Sequence, residues 1–251
     1  MIQSEVRFAS RHLGMRVTMN VLLPETGTGP FATLYLLHGL GDDHSIWHRL
    51  TRLETHASRW PMAIVMPQGF RGFYTANDAG PDYARYISDD VIGEAERLFP
   101  LRRERAGRAI GGLSMGGYGA LRIGLGWPER FASIISHSGA VMYGTTGQRT
   151  NSPMTQREYA RIFGASPAGS DHDLVTLAQR AAGNLPTIAI DCGVDDFLLD
   201  QNRALHQHWT DLKIPHTYEE FPGEHNWDYW DARLPASLAR HAAAMGIRPQ
   251  T

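Results

Sequence analysis

The chain has 251 residues, 42% of them hydrophobic and 20% charged, with 24 basic against 26 acidic side chains. That length and composition fit one globular α/β domain with an ordinary core. A net charge of −2 gives no reason to expect nucleic acid or an anionic membrane as a partner. A single cysteine, Cys192, excludes an intramolecular disulfide. The opening MIQSEVRFASRHLG has no basic region followed by an apolar stretch, so no signal peptide is expected. No run approaches the ~18 apolar residues of a membrane span. Together these features predict a cytoplasmic protein.

In chain order, MRVTMNVLLP (15–24) alternates apolar and polar residues and predicts a half-exposed early strand. FATLYLLHG (31–39) and PMAIVMPQG (61–69) are short apolar runs ending at glycine, as buried strands of a largely parallel sheet do. DYARYISDDVIGEAERLFP (82–100) places its apolar residues on one helical face and ends at Pro100. The basic run LRRERAGR (101–108) predicts a solvated loop after that helix. A strand over 108–113, a helix over 117–128 and a strand over 131–139 follow. Further strands are predicted over 187–193 and 216–223, with helices over 198–212 and 227–246. Pro235 is expected to kink or break the last helix.

Strands alternating with helices predict a doubly wound, mostly parallel sheet with helices on both faces. The turn-rich segment 141–184, which includes GTTGQRTNSPMTQ and a helical HDLVTLAQRAA, interrupts the rhythm. It reads as a small cap-like insertion over the sheet top within one domain, residues 1–251.

The chemistry centres on AIGGLSMGGYGALRIG (109–124). Residues 112–116, Gly-Leu-Ser-Met-Gly, match G-x-S-x-G between a strand and a helix. Such a turn holds a serine hydroxyl proud of the sheet, and bulk at the flanking glycines would clash. The phosphate-binding G-x-x-x-x-G-K-[ST] and G-x-G-x-x-G patterns are absent. Ser114 is therefore the candidate nucleophile. It needs a base and an orienting carboxylate, which in this architecture follow as acid, then histidine. Asp195 and Asp196 lie just past the 187–193 strand, and His225 lies on the loop after the last strand. Such strand ends are where sites in open α/β sheets form. Among twelve histidines, His137 precedes the acid, His206, His208 and His241 sit on helices, and His216 begins a strand. His44 and His48 are four apart but lack the glutamate of a zinc-protease motif, so no metal is expected. An oxyanion hole needs two backbone N–H groups. Met115 supplies one, and the HGLGDD loop the other, from Leu40 or Gly41. Trp47, Phe73, Tyr74 and Trp227 lie near these loops and are candidate substrate-binding residues, with core packing as the competing role.

Five motifs in this order, LLHGLGDDHSIW, PQGFRGFYTAND, GLSMGGYGALRIGLGWPERFASIISHSG, CGVDDFLLDQN and PGEHNWDYW, resemble the esterase D family of α/β-hydrolases over about residues 15–245. That family includes tributyrin esterases, S-formylglutathione hydrolases, feruloyl esterases and mycolyltransferases. The resemblance implies an α/β-hydrolase fold, Ser114 as nucleophile, Asp196 as triad acid with Asp195 the fallback, and His225 as base. It implies an oxyanion hole from Leu40 and Met115, and no cofactor. The implied activity is a serine esterase acting on a small-molecule ester with a short acyl group. A thioesterase of the S-formylglutathione hydrolase kind and an acyltransferase are the alternatives. The HGLGDD loop departs from the cysteine-bearing GLTC of many S-formylglutathione hydrolases, which weakens that alternative. A homo-oligomer is left open.

Overall fold

A computed structural model describes residues 1–147 and 152–250. Among the described residues, eight strands form one sheet: β1 (Ile2–Ser10), β2 (Met15–Leu23), β3 (Ala32–Leu37), β4 (Met62–Pro67), β5 (Arg108–Leu113), β6 (Ser133–His137), β7 (Thr187–Gly193) and β8 (Thr217–Phe221). Their spatial order is β1-β2-β4-β3-β5-β6-β7-β8. β1 and β2 form an antiparallel hairpin, β2 runs antiparallel to β4, and the rest is parallel. β1 is absent from the sequence reading above, although IQSEVRFAS alternates in type. It is a mostly exposed edge strand, so few of its side chains carry an apolar signal.

The helices are α1 (Ile46–Leu50), α2 (Leu53–Ala57), α3 (Tyr83–Arg85), α4 (Ile92–Leu98), α5 (Met115–Gly126), α6 (Gln156–Phe163), α7 (Leu174–Arg180), α8 (Leu199–Asp211) and α9 (Trp227–Ala244). A π-helical turn, Tyr86–Val91, joins α3 to α4. Alternate residues of each central strand feed two cores. Tyr35, Leu37, Val65 and Ile110 pack toward α4, α5 and α7. Leu34, Leu36, Ile64 and Ala109 pack toward α1, α2 and α9. All six residues of β3 and of β4 are buried, as continuous apolar strands between two helical layers require.

Three expectations need correction. β2 is buried along most of its second half, because Met19 and Val21 enter one core and Leu22 the other. The basic run is a set of ties: Arg105 donates to the carbonyls of Phe131, Asn184 and Leu185, and Arg108 pairs with Glu96 at 2.6 Å. α9 runs unbroken through Pro235, which forgoes only the bond to the Asp231 carbonyl. Tyr229, Trp230, Leu234 and Leu238 bury one side of that helix, packing that offsets the lost bond.

The 141–184 segment carries two helices, α6 and α7, of which only the second was legible in the sequence. Residues 148–151 of its turn-rich run lie outside the described residues. Phe73 stacks on Tyr143 at 5.2 Å and meets Phe163 edge-on at 5.3 Å, while Tyr118 donates to the His172 carbonyl. These contacts dock the segment on α5 and on the loop after β4.

Candidate active site

Ser114 is the single residue between β5 and α5. Its backbone sits at φ 53°, ψ −116°, a region that costs a non-glycine residue on the order of 1–3 kcal/mol. Three hydrogen bonds hold it there. Its N–H donates to the His137 carbonyl at 2.9 Å, and its own carbonyl accepts from Ala140 and Tyr118, both at 3.1 Å. The flanking glycines have a steric cause. A Cβ on Gly112 would fall 2.6 Å from the Gly116 backbone, and one on Gly116 would fall 2.5 Å from the Leu37 carbonyl. The turn is wedged against the end of β3 and admits no side chain at either position. Ser114 itself keeps some exposure between neighbours that are buried.

The loop after β3 lies against this turn: a Cβ on Gly39 would be 2.8 Å from Leu113 Cδ1 and 3.7 Å from Ser114 Cβ. His38 fixes the loop. Gly69 N–H donates to its Nε2 at 2.8 Å, so the ring is neutral there and its Nδ1–H donates to the Gly39 carbonyl at 2.7 Å. Burial lowers the His38 pKa to about 4, which keeps the ring neutral. Tyr74 closes the arrangement, its hydroxyl accepting from His38 N–H and donating to the His38 carbonyl. Met115 is the first residue of α5, where an N–H has no acceptor inside the helix. Asp42 lies in the same loop, and partial burial raises its carboxyl pKa.

The acid and the histidine come from loops clasped together at the ends of β7 and β8. Val194 and Asp195 N–H donate to the carbonyls of Phe221 and Gly223. A Cβ on Gly193 would collide with the Gly223 carbonyl at 2.3 Å. The Asp196 side chain is fully buried and accepts from Leu198 N–H at 2.7 Å. Its two oxygens lie 3.0 and 2.8 Å from His225 Nδ1. His225 Nε2 lies 3.0 Å from Ser114 Oγ. A carboxylate accepts only, so Nδ1 donates to Asp196 and Nε2 is left to accept from the serine. Asp195 is exposed and takes no part.

The residues match the family described as "Putative esterase" over positions 10–241. This chain belongs to that esterase family. It is 33% identical to an acetyl esterase of Caldicellulosiruptor saccharolyticus over 90% of this chain and 93% of that one. It is 24% identical to an S-formylglutathione hydrolase of Paracoccus denitrificans, covering 98% and 94% of the two chains. Among solved structures, FphF of Staphylococcus aureus, a fluorophosphonate-binding serine hydrolase, superposes with a TM-score of 0.86 at 27% identity over 96% of this chain and 98% of that one. The membership makes the chain a carboxylic ester hydrolase of α/β fold.

Three of the four candidate wall residues of this esterase are core instead. Trp47 is 1% exposed, donates to the Leu37 carbonyl and packs edge-on against Trp227. Phe73 and Tyr74 are buried, Phe73 in the aromatic cluster under the 141–184 segment and Tyr74 in the His38 latch. Trp227 alone is partly exposed. The sequence reading missed the two aromatic rings that touch the histidine: Phe197 at 4.4 Å, and Trp230 edge-on at 5.0 Å. Phe197 directly follows Asp196, and its position beside a triad acid was the available signal. His137 points inward, with Nδ1 2.7 Å from Asp191 and Nε2 3.1 Å from Ser237 Oγ. Its ring braces β6, β7 and α9, while its carbonyl holds Ser114.

Proposed function

We propose that this esterase cleaves short-chain acyl esters of small alcohols through an acyl-enzyme on Ser114. The observation that carries this reading is the hydrogen-bonded chain Ser114–His225–Asp196 mounted on a strained strand-to-helix turn. His225 Nε2 takes the hydroxyl proton as Ser114 Oγ attacks the carbonyl carbon. The oxyanion accepts hydrogen bonds from the Leu40 and Met115 N–H groups. His225 then gives the proton to the departing alkoxide, leaving the acyl group on Oγ. Water, deprotonated by His225, attacks that acyl carbon; the serine recovers the proton and the acid leaves. Asp196 holds the ring tautomer and stabilises the imidazolium. Trp227 and Phe197 flank the alcohol side, the 141–184 segment limits acyl length, and the cytoplasm is the compartment.

The acetyl esterase named among its relatives supports a short acyl group. The S-formylglutathione hydrolase relative favours a second reading, a formyl or acetyl thioester cleaved by the same triad. A panel of p-nitrophenyl esters from acetyl to decanoyl, with S-formylglutathione beside them, separates the two. The proposal expects kcat/KM to peak at acetyl to butyryl, and a fluorophosphonate probe to label wild type but not Ser114→Ala. Undiminished labelling of Ser114→Ala would refute the assignment of the nucleophile.

A further inference from the structure

Two turns along α5 from the nucleophile, Arg122 is 5% exposed. Its Nε donates to Thr75 Oγ1 at 3.2 Å, and its guanidinium lies 5.4 Å from the centre of the Trp127 ring. Among the described residues no carboxylate pairs with it. Burying a charge without a partner is costly, and a cation–π contact offsets only part of that. Arg108, by contrast, is held by Glu96 through two bonds.

Arg122 lines a cleft of about 320 Å³ between the C-terminal end of α5 and α7, with Trp127, Pro128, Leu177 and Arg180. Arg180 stands at its rim, half exposed, and binds Asp171 at 2.6 Å and the Gly169 carbonyl at 3.2 Å. Asp171 also lines the cleft, and it is committed to Arg180. One buried positive charge is therefore left over, facing a cavity large enough for a small molecule. Arg130 stacks on the same Trp127, but its charge is met by Asp89 at 3.0 Å.

We propose that this cleft is an anion site, taking a phosphate or carboxylate group of a small molecule, with Arg122 as the counter-charge and Arg180 as the rim contact. It lies about 12 Å along α5 from Ser114, at 1.5 Å per residue, and is separate from the ester site. Its wiring leads into the 141–184 segment. Thr75 Oγ1, which accepts from Arg122, is also 2.9 Å from His172 Nδ1, and the His172 carbonyl accepts from Tyr118. An anion that fixes Arg122 therefore steadies the contact between that segment and α5.

Calorimetric titration of sodium phosphate and of sodium acetate, each against sodium chloride at equal ionic strength, tests this on wild type, Arg122→Gln, Arg122→Lys and Arg180→Gln. Wild type should bind one of the two oxyanions saturably, with a Kd of about 1 mM. Arg122→Gln should abolish binding. Arg122→Lys and Arg180→Gln should each weaken it about tenfold, as loss of a forked charge-assisted contact does. The same anion should raise the wild-type Tm. Saturation by phosphate or by acetate identifies which group the site takes. Absence of saturable binding of either anion up to about 50 mM overturns the proposal. So does binding that Arg122→Lys and Arg180→Gln both leave intact, a comparison that holds even if Arg122→Gln fails to fold.

Discussion

Asp195 and Asp196 are the same chemical group one residue apart, and their surroundings assign them different work. Asp196 is sealed beneath His225 and tied to Leu198 N–H, while Asp195 faces solvent. Asp196→Asn should therefore lower kcat about 10⁴-fold, the cost of the wrong imidazole tautomer, with Asp195→Asn within about twofold of wild type. Ser114→Ala should cost about 10⁶ in kcat. Steady-state kinetics on p-nitrophenyl acetate reads all three, and equal losses in the two aspartate variants would contradict this division. Nothing in the pair Asp-Asp distinguishes the two from sequence. In the fold Asp196 is held by its N–H on the Gly193 carbonyl and by its carboxylate accepting from Leu198 N–H.

At the scale of elements, the strand–turn–helix unit β5–α5 carries the most constraint. A methyl group on Gly116 would have to displace the carbonyl of Leu37 or His38, both backbone atoms that cannot swing away. Gly116→Ala should shift the Ser114 turn and the β3 loop together, lowering kcat at least about 100-fold, since a displacement of about 1 Å costs that much. Retention of wild-type kcat by a folded Gly116→Ala would show that the turn yields. α9 makes the opposite case. Pro235 forgoes one backbone bond in an otherwise regular helix, so Pro235→Ala should stabilise by about 1 kcal/mol, a rise of about 2–4 °C in Tm. Thermal melts followed by circular dichroism decide it.

For the whole molecule, two histidines are buried without charge. Burial lowers the pKa of His38 to about 4 and that of His241 to about 3. The sign follows from linkage. The unfolded chain protonates these rings near pH 6.5 and the folded protein does so only well below it, so protons favour unfolding. Stability should fall as the pH drops from about 6.5 toward 4, by about 1.4 kcal/mol for each unit of depressed pKa, and level off below the folded values. A Tm unchanged between pH 6.5 and 4.5 would rule this out. The 141–184 segment acts at the same scale, since its aromatic cluster packs on α5 and the loop after β4. Exchanging it for the corresponding segment of a relative should shift acyl-length preference without abolishing turnover, as the ester panel would report.

What the sequence determined by itself is local. Apolar runs with glycine ends marked the parallel strands, and G-x-S-x-G marked the nucleophile turn, because backbone sterics act over a few residues. The order serine, acid, histidine followed from strand ends on one sheet edge. Tertiary structure brought Asp196, which the family resemblance implied, to His225, and it alone decided that Trp47, Phe73 and Tyr74 are core and that Phe197 and Trp230 touch the histidine. It also decided that Arg122 is buried without an acid, which its place in a helical pattern does not disclose. The reason is physical. An aromatic beside a glycine turn has the same local pattern whether it faces a cavity or a core, and a charge has no neighbour until distant segments pack around it.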